Sequence, residues 1–403
     1  MATLPKVLTD KAMIDSFLTR AVENVYPTRE KLGELLVSGK RISVYSGIDP
    51  TGPTLHLGHV IWLRKLAQLQ EMGHRVIMLI GDFTAMIGDP TDKTATRKQL
   101  TRDEVLMNCQ RYQEQASRFV RFDGENPVEL KFNGEWLANM SFADVVELSS
   151  HFTVQQMSER DMFKNRIDEG RPVYLHEFLY PLMQGYDSVA MEVDLEIGGN
   201  DQTFNMLAGR TLLREMKNRE KLVLTTKLLV DPSGKKMGKS EGNVISLEDT
   251  SIDMYGKVMS WTDGMILPAF ELVTDVSSKE MEDMKSKMEA GENPMAFKRR
   301  LAKEIVRVLS SEKDADEAEA HFSTVHQKGE KPEEIPEFSL SGSEMKLMDV
   351  LVDSKMLASK SEARRQIEQG GVKVDDVVIT QIDAMVRTGQ TIQKGKRHFL
   401  KLV

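Results

Sequence analysis

Two short segments carry residue types suited to a nucleoside triphosphate: His56-Leu57-Gly58-His59 and, about 180 residues later, Lys236-Met237-Gly238-Lys239-Ser240. Before the first, an extended run, Ile42-Ser43-Val44-Tyr45, passes through Pro50, Gly52 and Pro53 into an amphipathic stretch beginning at Val60. The histidines therefore fall in a tight loop at a helix N-terminus. Backbone N–H groups without intrahelical partners, together with the positive end of the helix dipole, make such a turn an anion site. Gly58 has no Cβ and lets a base or ribose lie against the backbone, while His56 and His59 offer ring N–H donors to oxygens that gain charge. Lys236 and Lys239 lie between turn-forming polar segments, Asp231-Pro232-Ser233-Gly234 and Glu241-Gly242-Asn243, which suits a loop that closes on phosphates. Taken singly, the first motif also fits a turn with two surface histidines and the second a solvated basic turn. Their order and spacing point to one nucleotide site closed from two sides.

The elements that must position these residues alternate between strand-like and helix-like over the first 245 residues. Val60, Leu63, Leu66, Ala67 and Leu69 make one helical face, and Val76-Ile77-Met78-Leu79-Ile80 is a short apolar run ending at Gly81, as in a buried parallel strand. The pattern predicts an α/β domain with a doubly wound parallel sheet, holding ligands beyond the carboxyl ends of its strands. Tyr45 to Pro50 and Gly81 to Pro90 lie at such ends. From about Ile252 to Val325 the pattern is mostly helical. There Leu301, Ile305 and Val308 form an apolar face with basic residues beside it, fitting either a solvated amphipathic helix or contact with RNA phosphates. A polar, acidic, proline-broken run from Gly329 to Glu337 reads as a linker, which places a domain boundary near residue 340.

At 403 residues the chain is too long for one ordinary core, and two or three domains are expected. Hydrophobic content of 40% and charged content of 29%, with no apolar run long enough to span a bilayer, exclude a membrane-spanning helix and fit a cytoplasmic protein. The single cysteine, Cys109, excludes an intrachain disulfide, and the eight histidines show no zinc-ligand spacing with it, so no protein-bound metal is expected. The net charge of −8 argues against nucleic-acid binding over the whole surface. The tail, residues 341–403, is the basic part, with eleven Lys/Arg against eight Asp/Glu for a local +3.

The paired motifs resemble the two signatures of class I aminoacyl-tRNA synthetases. Three further segments narrow the resemblance to the tyrosyl-tRNA synthetase family in its bacterial form: Tyr45-x-Gly47-x-Asp49-Pro50-Thr51, Tyr180-Pro181-Leu182-Met183-Gln184-Gly185-Tyr186-Asp187 and Gly198-Gly199-Asn200-Asp201-Gln202. Gly238, where the generic class I loop usually has Ser, matches the tyrosyl members. Ser46 stands where some relatives have Cys. Read without the family, Tyr180, Gln184 and Asp187 stand at i, i+4 and i+7, so a phenol, an amide and a carboxylate share one helix face, although an Asp so placed also fits simple exposure.

The resemblance implies activation of L-tyrosine by ATP to tyrosyl-adenylate and pyrophosphate, followed by transfer to the 3′-terminal adenosine of tRNA(Tyr). It implies that Asp187 and Tyr45 meet the substrate phenol, that Tyr180, Gln184 and Asp89 surround its ammonium, and that Gln202 lies close by. For ATP, carried with Mg2+, it assigns His56 and His59 to transition-state phosphate contacts and Gly58 to close approach. Gly199 and Asp201 go to the ribose, Thr51 to the terminal phosphates, and Lys236, Lys239 and Ser240 to pyrophosphate. It also implies a homodimer. The expected fold is a Rossmann-type catalytic domain over 1–245 with a connective insertion at about 120–190, a helical anticodon-binding domain over 246–328, a linker at 329–340 and a small α+β domain over 341–403. In the last, Ser359 to Val374 reads as a capped helix, a glycine stop and a strand. This resembles the αL-type RNA-binding fold shared with a ribosomal small-subunit protein and pseudouridine synthases, with Lys360, Arg364 and Arg365 facing phosphates. Two rivals share parts of the pattern: tryptophanyl-tRNA synthetase, whose indole needs only one acceptor, and a nucleotidylyltransferase of the His-x-Gly-His type, which would lack the helical region and the tail.

Overall fold

The computed structural model describes residues 5–90, 100–230, 244–327, 335–340, 342–354, 356–357, 359–395 and 398–403. The chain forms two compact units, 1–319 and 320–403. Lys236, Lys239 and Ser240 lie outside the described residues.

In the first unit, six strands make one sheet: β1 (Val22–Tyr26), β2 (Ser43–Ile48), β3 (Arg75–Ile80), β4 (Glu129–Phe132), β5 (Leu195–Gly199) and β6 (Leu222–Thr226). Their spatial order is β1-β6-β5-β2-β3-β4. The strands from β2 to β6 run parallel, and β1 closes the β6 edge antiparallel. The chain steps outward from β2 to β3 and β4, then returns to the other side of β2 for β5 and β6. Strand order thus reverses between β2 and β5, which leaves a crevice at their carboxyl ends. Burial on both faces explains the apolar runs: all of β6 and every residue of β3 after Arg75 are buried.

The helix Leu57–Glu71 packs on β2, β3 and β5. It begins at Leu57, ahead of the apolar periodicity, because His56 caps it. Between β4 and β5 lie short helices and then the long helix Leu175–Met191, which packs against Thr203–Lys217. The crossing is close at two glycines: a Cβ on Gly185 would stand 3.1 Å from the Gly209 nitrogen. After β6 come the helices Ser251–Met259, Ile266–Val273, Ser278–Glu289 and Pro294–Leu309. Several are started by hydroxyl or amide caps, at Thr250, Ser277 and Asn293, each contributing about 1 kcal/mol.

On Pro294–Leu309, Leu301, Ala302, Ile305 and Val306 are buried while Val308 is half-exposed. Its cations meet acidic neighbours: Lys298 meets Asp263, Arg300 meets Glu280, and Lys303 meets Asp316 and Glu319. The basic stripe beside the apolar face is thus engaged within the protein.

The second unit surrounds a core of Leu347, Val350, Leu351, Ala363, Ile367, Val372, Ile392 and Leu402, among others. The helix Lys360–Glu368 is capped by Ser359 and followed by Gly370, whose φ of +70° ends it, and by the strand Val372–Val374. Ala363 and Ile367 face the core, so Lys360, Arg364 and Arg365 are exposed. Glu337–Phe338, in the segment expected to be linker, pairs parallel with His398–Leu402. Among the described residues no helix is long and apolar enough to cross a membrane.

Candidate active site

The His56-Leu57-Gly58-His59 turn sits at the N-terminus of Leu57–Glu71, after β2. His56 Nδ1 accepts from the Gly58 N–H at 3.1 Å, and His59 Nδ1 accepts from the His56 N–H at 3.0 Å. The two rings stack 3.7 Å apart. With both Nδ1 atoms accepting, each neutral imidazole carries its proton on Nε2, so both rings are set as Nε2 donors. Gly58 eases this cap, because a Cβ there would lie 3.0 Å from His56 Cε1 and the ring would have to give by a few tenths of an ångström. The chain that leaves the second motif returns to this turn. Leu57 N donates to Ile245 O at 2.9 Å, and Leu247 N donates to Leu55 O at 3.0 Å.

A second group gathers at the carboxyl ends of β2, β3 and β4 and on Leu175–Met191. Asp187 is 2% exposed and accepts from Trp136 Nε1 at 2.8 Å and from Asn133 Nδ2 at 3.3 Å. Burial pushes its carboxyl well above the usual range against these two donors, and the Glu196 and Asp49 carboxylates add to the rise. Tyr45, 1% exposed on β2, has its hydroxyl 2.9 Å from Ser188 Oγ. Burial raises the Tyr45 phenol well above its ordinary value, with Glu196 and Asp187 adding. Tyr180 donates to Asp49 Oδ2 at 2.8 Å, and Thr84 donates to Asp49 Oδ1 at 2.7 Å. Gly81 permits that approach, because a Cβ there would collide with Asp49 Oδ1.

Amides join the two helices to the loop after β3. Gln202 Nε2 donates to Asp89 Oδ2 at 2.6 Å, and Asn205 Nδ2 donates to both Gln202 Oε1 and Gln184 Oε1 at 2.9 Å. Gln184 Nε2 in turn donates to Glu196 Oε1 at 3.1 Å. Arg160, buried, stands 3.7 Å from Asp89 Oδ1, and its burial lowers the guanidinium pKa. Asn205 Oδ1 is a buried acceptor with no partner among the described residues. Gly199 ends β5 and leaves room for Asp201, whose Oδ1 would be 2.5 Å from a Cβ at residue 199. Thr51 is exposed, in the turn where its N–H bonds Asp49 O at 2.8 Å.

A family model for class I tRNA synthetases (W and Y) matches residues 38–327. The chain belongs to this family of class I tRNA synthetases. A model for the SYY-like C-terminal domain of tyrosine–tRNA ligase matches residues 327–400 of the synthetase. The tyrosine–tRNA ligase of Carboxydothermus hydrogenoformans is 44% identical over 401 residues, covering 96% of each chain. That of Haemophilus ducreyi is 42% identical over 387 residues, again covering 96% of each. Among solved structures, the Archaeoglobus fulgidus tyrosyl-tRNA synthetase complexed with L-tyrosine is 22% identical with a TM-score of 0.61, covering 77% of this chain and 100% of that one. A C-terminally truncated mitochondrial tyrosyl-tRNA synthetase from Aspergillus nidulans is 20% identical with a TM-score of 0.65, covering 78% and 94%. These two similarities bear on the fold. The synthetase uses ATP as a substrate, and tyrosine–tRNA ligation is its activity.

Within the synthetase, Tyr180 and Asp187 are joined through Asp49, Thr84 and Asn133, while Tyr45 and Gln184 are joined through Ser188 and Glu196, in a network that Asn205 extends to Gln202, Asp89 and Arg160. Lys360, Arg364 and Arg365 lie in the second unit, where Lys360 pairs with Asp349 at 2.7 Å and Arg364 with Glu368 at 3.1 Å. Sequence reasoning missed Asn133, Trp136, Arg160, Glu196, Asn205 and Lys221. Glu196 could have been found as a lone carboxylate inside the apolar run of β5. Asn133 and Trp136 follow β4, whose half-buried residues give too weak a pattern to announce a strand end. Lys221 closes the charged run Arg219-Glu220-Lys221, which looks like surface.

Proposed function

We propose that the crevice between β2 and β5 binds tyrosine with its phenol toward Tyr45 and Asp187 and its ammonium among Tyr180, Gln184 and Asp89, with Gln202 close by. The observation that carries this reading is Asp187: a buried carboxylate held by two donors at the end of a helix face that also presents Tyr180 and Gln184. A carboxylate in that position accepts a phenolic O–H and is left short of a partner by phenylalanine. The unpartnered Asn205 oxygen supports cation recognition on the amide side.

The substrate carboxylate attacks the α-phosphorus of ATP, the α–β phosphoanhydride breaks, and pyrophosphate leaves. Tyrosyl-adenylate remains on the enzyme until a hydroxyl of the terminal tRNA adenosine attacks its carbonyl and releases AMP. No side chain acts as nucleophile. His56 and His59 would donate from Nε2 to phosphate oxygens, Gly58 admits the nucleotide, Thr51 reaches the terminal phosphates, and Gly199 with Asp201 holds the ribose. Catalysis on this account is positioning and charge stabilisation, with Mg2+ arriving on ATP. By resemblance, Lys236, Lys239 and Ser240 contact pyrophosphate. The return of Ile245–Leu247 to the histidine turn supports this.

The helical region 246–328 would take the anticodon end of tRNA(Tyr), and 341–403 would bind its phosphates through Lys360, Arg364 and Arg365. The enzyme would work in the cytoplasm as a homodimer. Exposed apolar side chains support the pairing: Phe142 and Val146 share a face of Phe142–Ser150, and Val154 and Leu175 are also exposed. Light scattering on Phe142→Glu would show a monomer if this face mediates dimerisation. Tyrosine-dependent pyrophosphate exchange, run beside tryptophan and phenylalanine, tests the pocket. Exchange driven equally by tryptophan would overturn it.

A further inference from the structure

The histidine turn is one side of a short antiparallel ladder. His56 bridges Ser246, Leu57 N donates to Ile245 O at 2.9 Å, and Leu247 N donates to Leu55 O at 3.0 Å. The side chains of Leu55, Ile245 and Leu247 are buried. These bonds also decide what the helix end can offer a ligand. The Leu57 N–H goes to Ile245 O, the Gly58 N–H to His56 Nδ1 and the His59 N–H to His56 O at 2.8 Å. All three first-turn N–H groups thus have acceptors inside the protein, whereas a bare helix end would present them to an anion. A phosphate at this turn would meet the imidazole rings rather than the peptide, so its stabilisation depends on where the rings are held.

Polar side chains from outside the ladder hold it. Gln115, 2% exposed in the helix Tyr112–Ala116, accepts from Leu55 N at 2.7 Å and donates to Pro53 O and Glu248 Oε1, both at 3.2 Å. One buried amide thus engages both chains of the ladder through its oxygen and its nitrogen. Arg118 donates to Leu247 O at 2.6 Å and to Leu309 O, at the end of the helix Pro294–Leu309, at 3.1 Å. Lys257, in the helix Ser251–Met259, donates to Val244 O at 3.2 Å and pairs with Asp249 at 2.5 Å. Asp249 Oδ2 in turn accepts from Ser246 N at 2.8 Å. The boundary expected at residue 245 therefore runs through the ladder, and the helical region supplies one of its clamps. We infer that Gln115 and the Lys257–Asp249 pair are positioning residues for tyrosine activation. They fix the ladder, the ladder fixes Leu57 and the His56 cap, and the cap aims both ring Nε2 donors at charge that builds on the phosphates in the transition state. This inference rests on the reading of His56 and His59 as phosphate contacts.

Gln115→Met removes the amide and keeps an unbranched side chain. Lys257→Met combined with Asp249→Asn removes both charges and keeps an oxygen for Ser246 N. In tyrosine-dependent pyrophosphate exchange, each should lower kcat by about ten- to a hundredfold, as when catalytic donors are misplaced by up to about 1 Å. The KM for tyrosine should stay within about twofold, because the bonds removed run to the ladder and not to the tyrosine pocket. Made in a His56→Ala/His59→Ala chain, the same substitutions should cost less than about threefold further, since the rings they position are gone. A loss undiminished in that chain overturns the inference. An unchanged kcat in the folded variants also overturns it, as does a joint loss of tyrosine and ATP use, the pattern of a merely structural role. Should Gln115→Met fail to fold, the partly exposed Lys257–Asp249 pair decides. The His56→Ala/His59→Ala chain by itself separates two failures. A rate lost there but kept in the other variants overturns the inference alone. A rate kept there overturns the phosphate reading and the inference with it.

Discussion

Asp187 shows how one residue's surroundings give it a task. Trp136 and Asn133 hold the carboxylate from one side while burial drives its pKa upward, so a further donor at this site is strongly favoured. Asp187→Ala should therefore weaken tyrosine use by about 1–3 kcal/mol or more, since it also strands the Trp136 and Asn133 donors. ATP binding should change little; exchange kinetics titrated separately in tyrosine and ATP check this. Gly58→Ala probes the turn. The new Cβ would crowd His56 Cε1 at 3.0 Å, so the ring must tilt from its cap. The activation rate should fall with tyrosine affinity preserved, as measured by stopped-flow adenylate formation. Lys236→Ala or Lys239→Ala should do the same if these residues meet charge that shifts to pyrophosphate only in the transition state.

At the scale of elements, the helix Leu57–Glu71 carries a cost that pH can reveal. Its Lys65 is 3% exposed, donates to Phe17 O at 2.6 Å, and is lowered to about 7 by burial, with Arg20 and Arg64 adding to the shift. Lysine in the unfolded chain titrates near 10.5. Between these values the unfolded chain binds the extra proton. Stability should thus rise with pH across that window, while the burial cost is fully present below pH 7. At roughly 1.4 kcal/mol per pKa unit the effect amounts to a few kcal/mol. Urea unfolding at several alkaline pH values should show a steeper rise for the wild type than for Lys65→Met. Parallel slopes would refute the assignment.

Across the whole molecule, the residues proposed to form the adenylate belong to the first unit and the basic helix Lys360–Glu368 to the second. A chain ending at Gln327, where the helix Glu312–Gln327 stops and the two family models meet, should retain tyrosine-dependent exchange. It should lose much of its tRNA charging, and its residual RNA binding should depend less steeply on salt as Lys360, Arg364 and Arg365 go. Equal charging by both chains at physiological salt would remove the RNA role from the tail. Loss of exchange as well would show that the second unit is needed to fold the first.

Local rules were enough for much of this protein. Alternating apolar runs specify parallel strands and amphipathic helices because burial on both faces, or on one, leaves a period in the sequence. The histidine turn, the i, i+4, i+7 face of Tyr180, Gln184 and Asp187, and the glycine stop after Lys360–Glu368 are all short-range patterns. What the fold alone decided is pairing between distant segments. Asn133 and Trp136 reach Asp187 only because β4 ends beside the Leu175–Met191 helix, and Asp49 meets Tyr180 across 131 residues of sequence. Lys221 looks like surface until Gly185 and Gly209 bring two helices close enough to enclose it. A charged residue's role depends on which other charges share its low-dielectric space, and no sequence period records that.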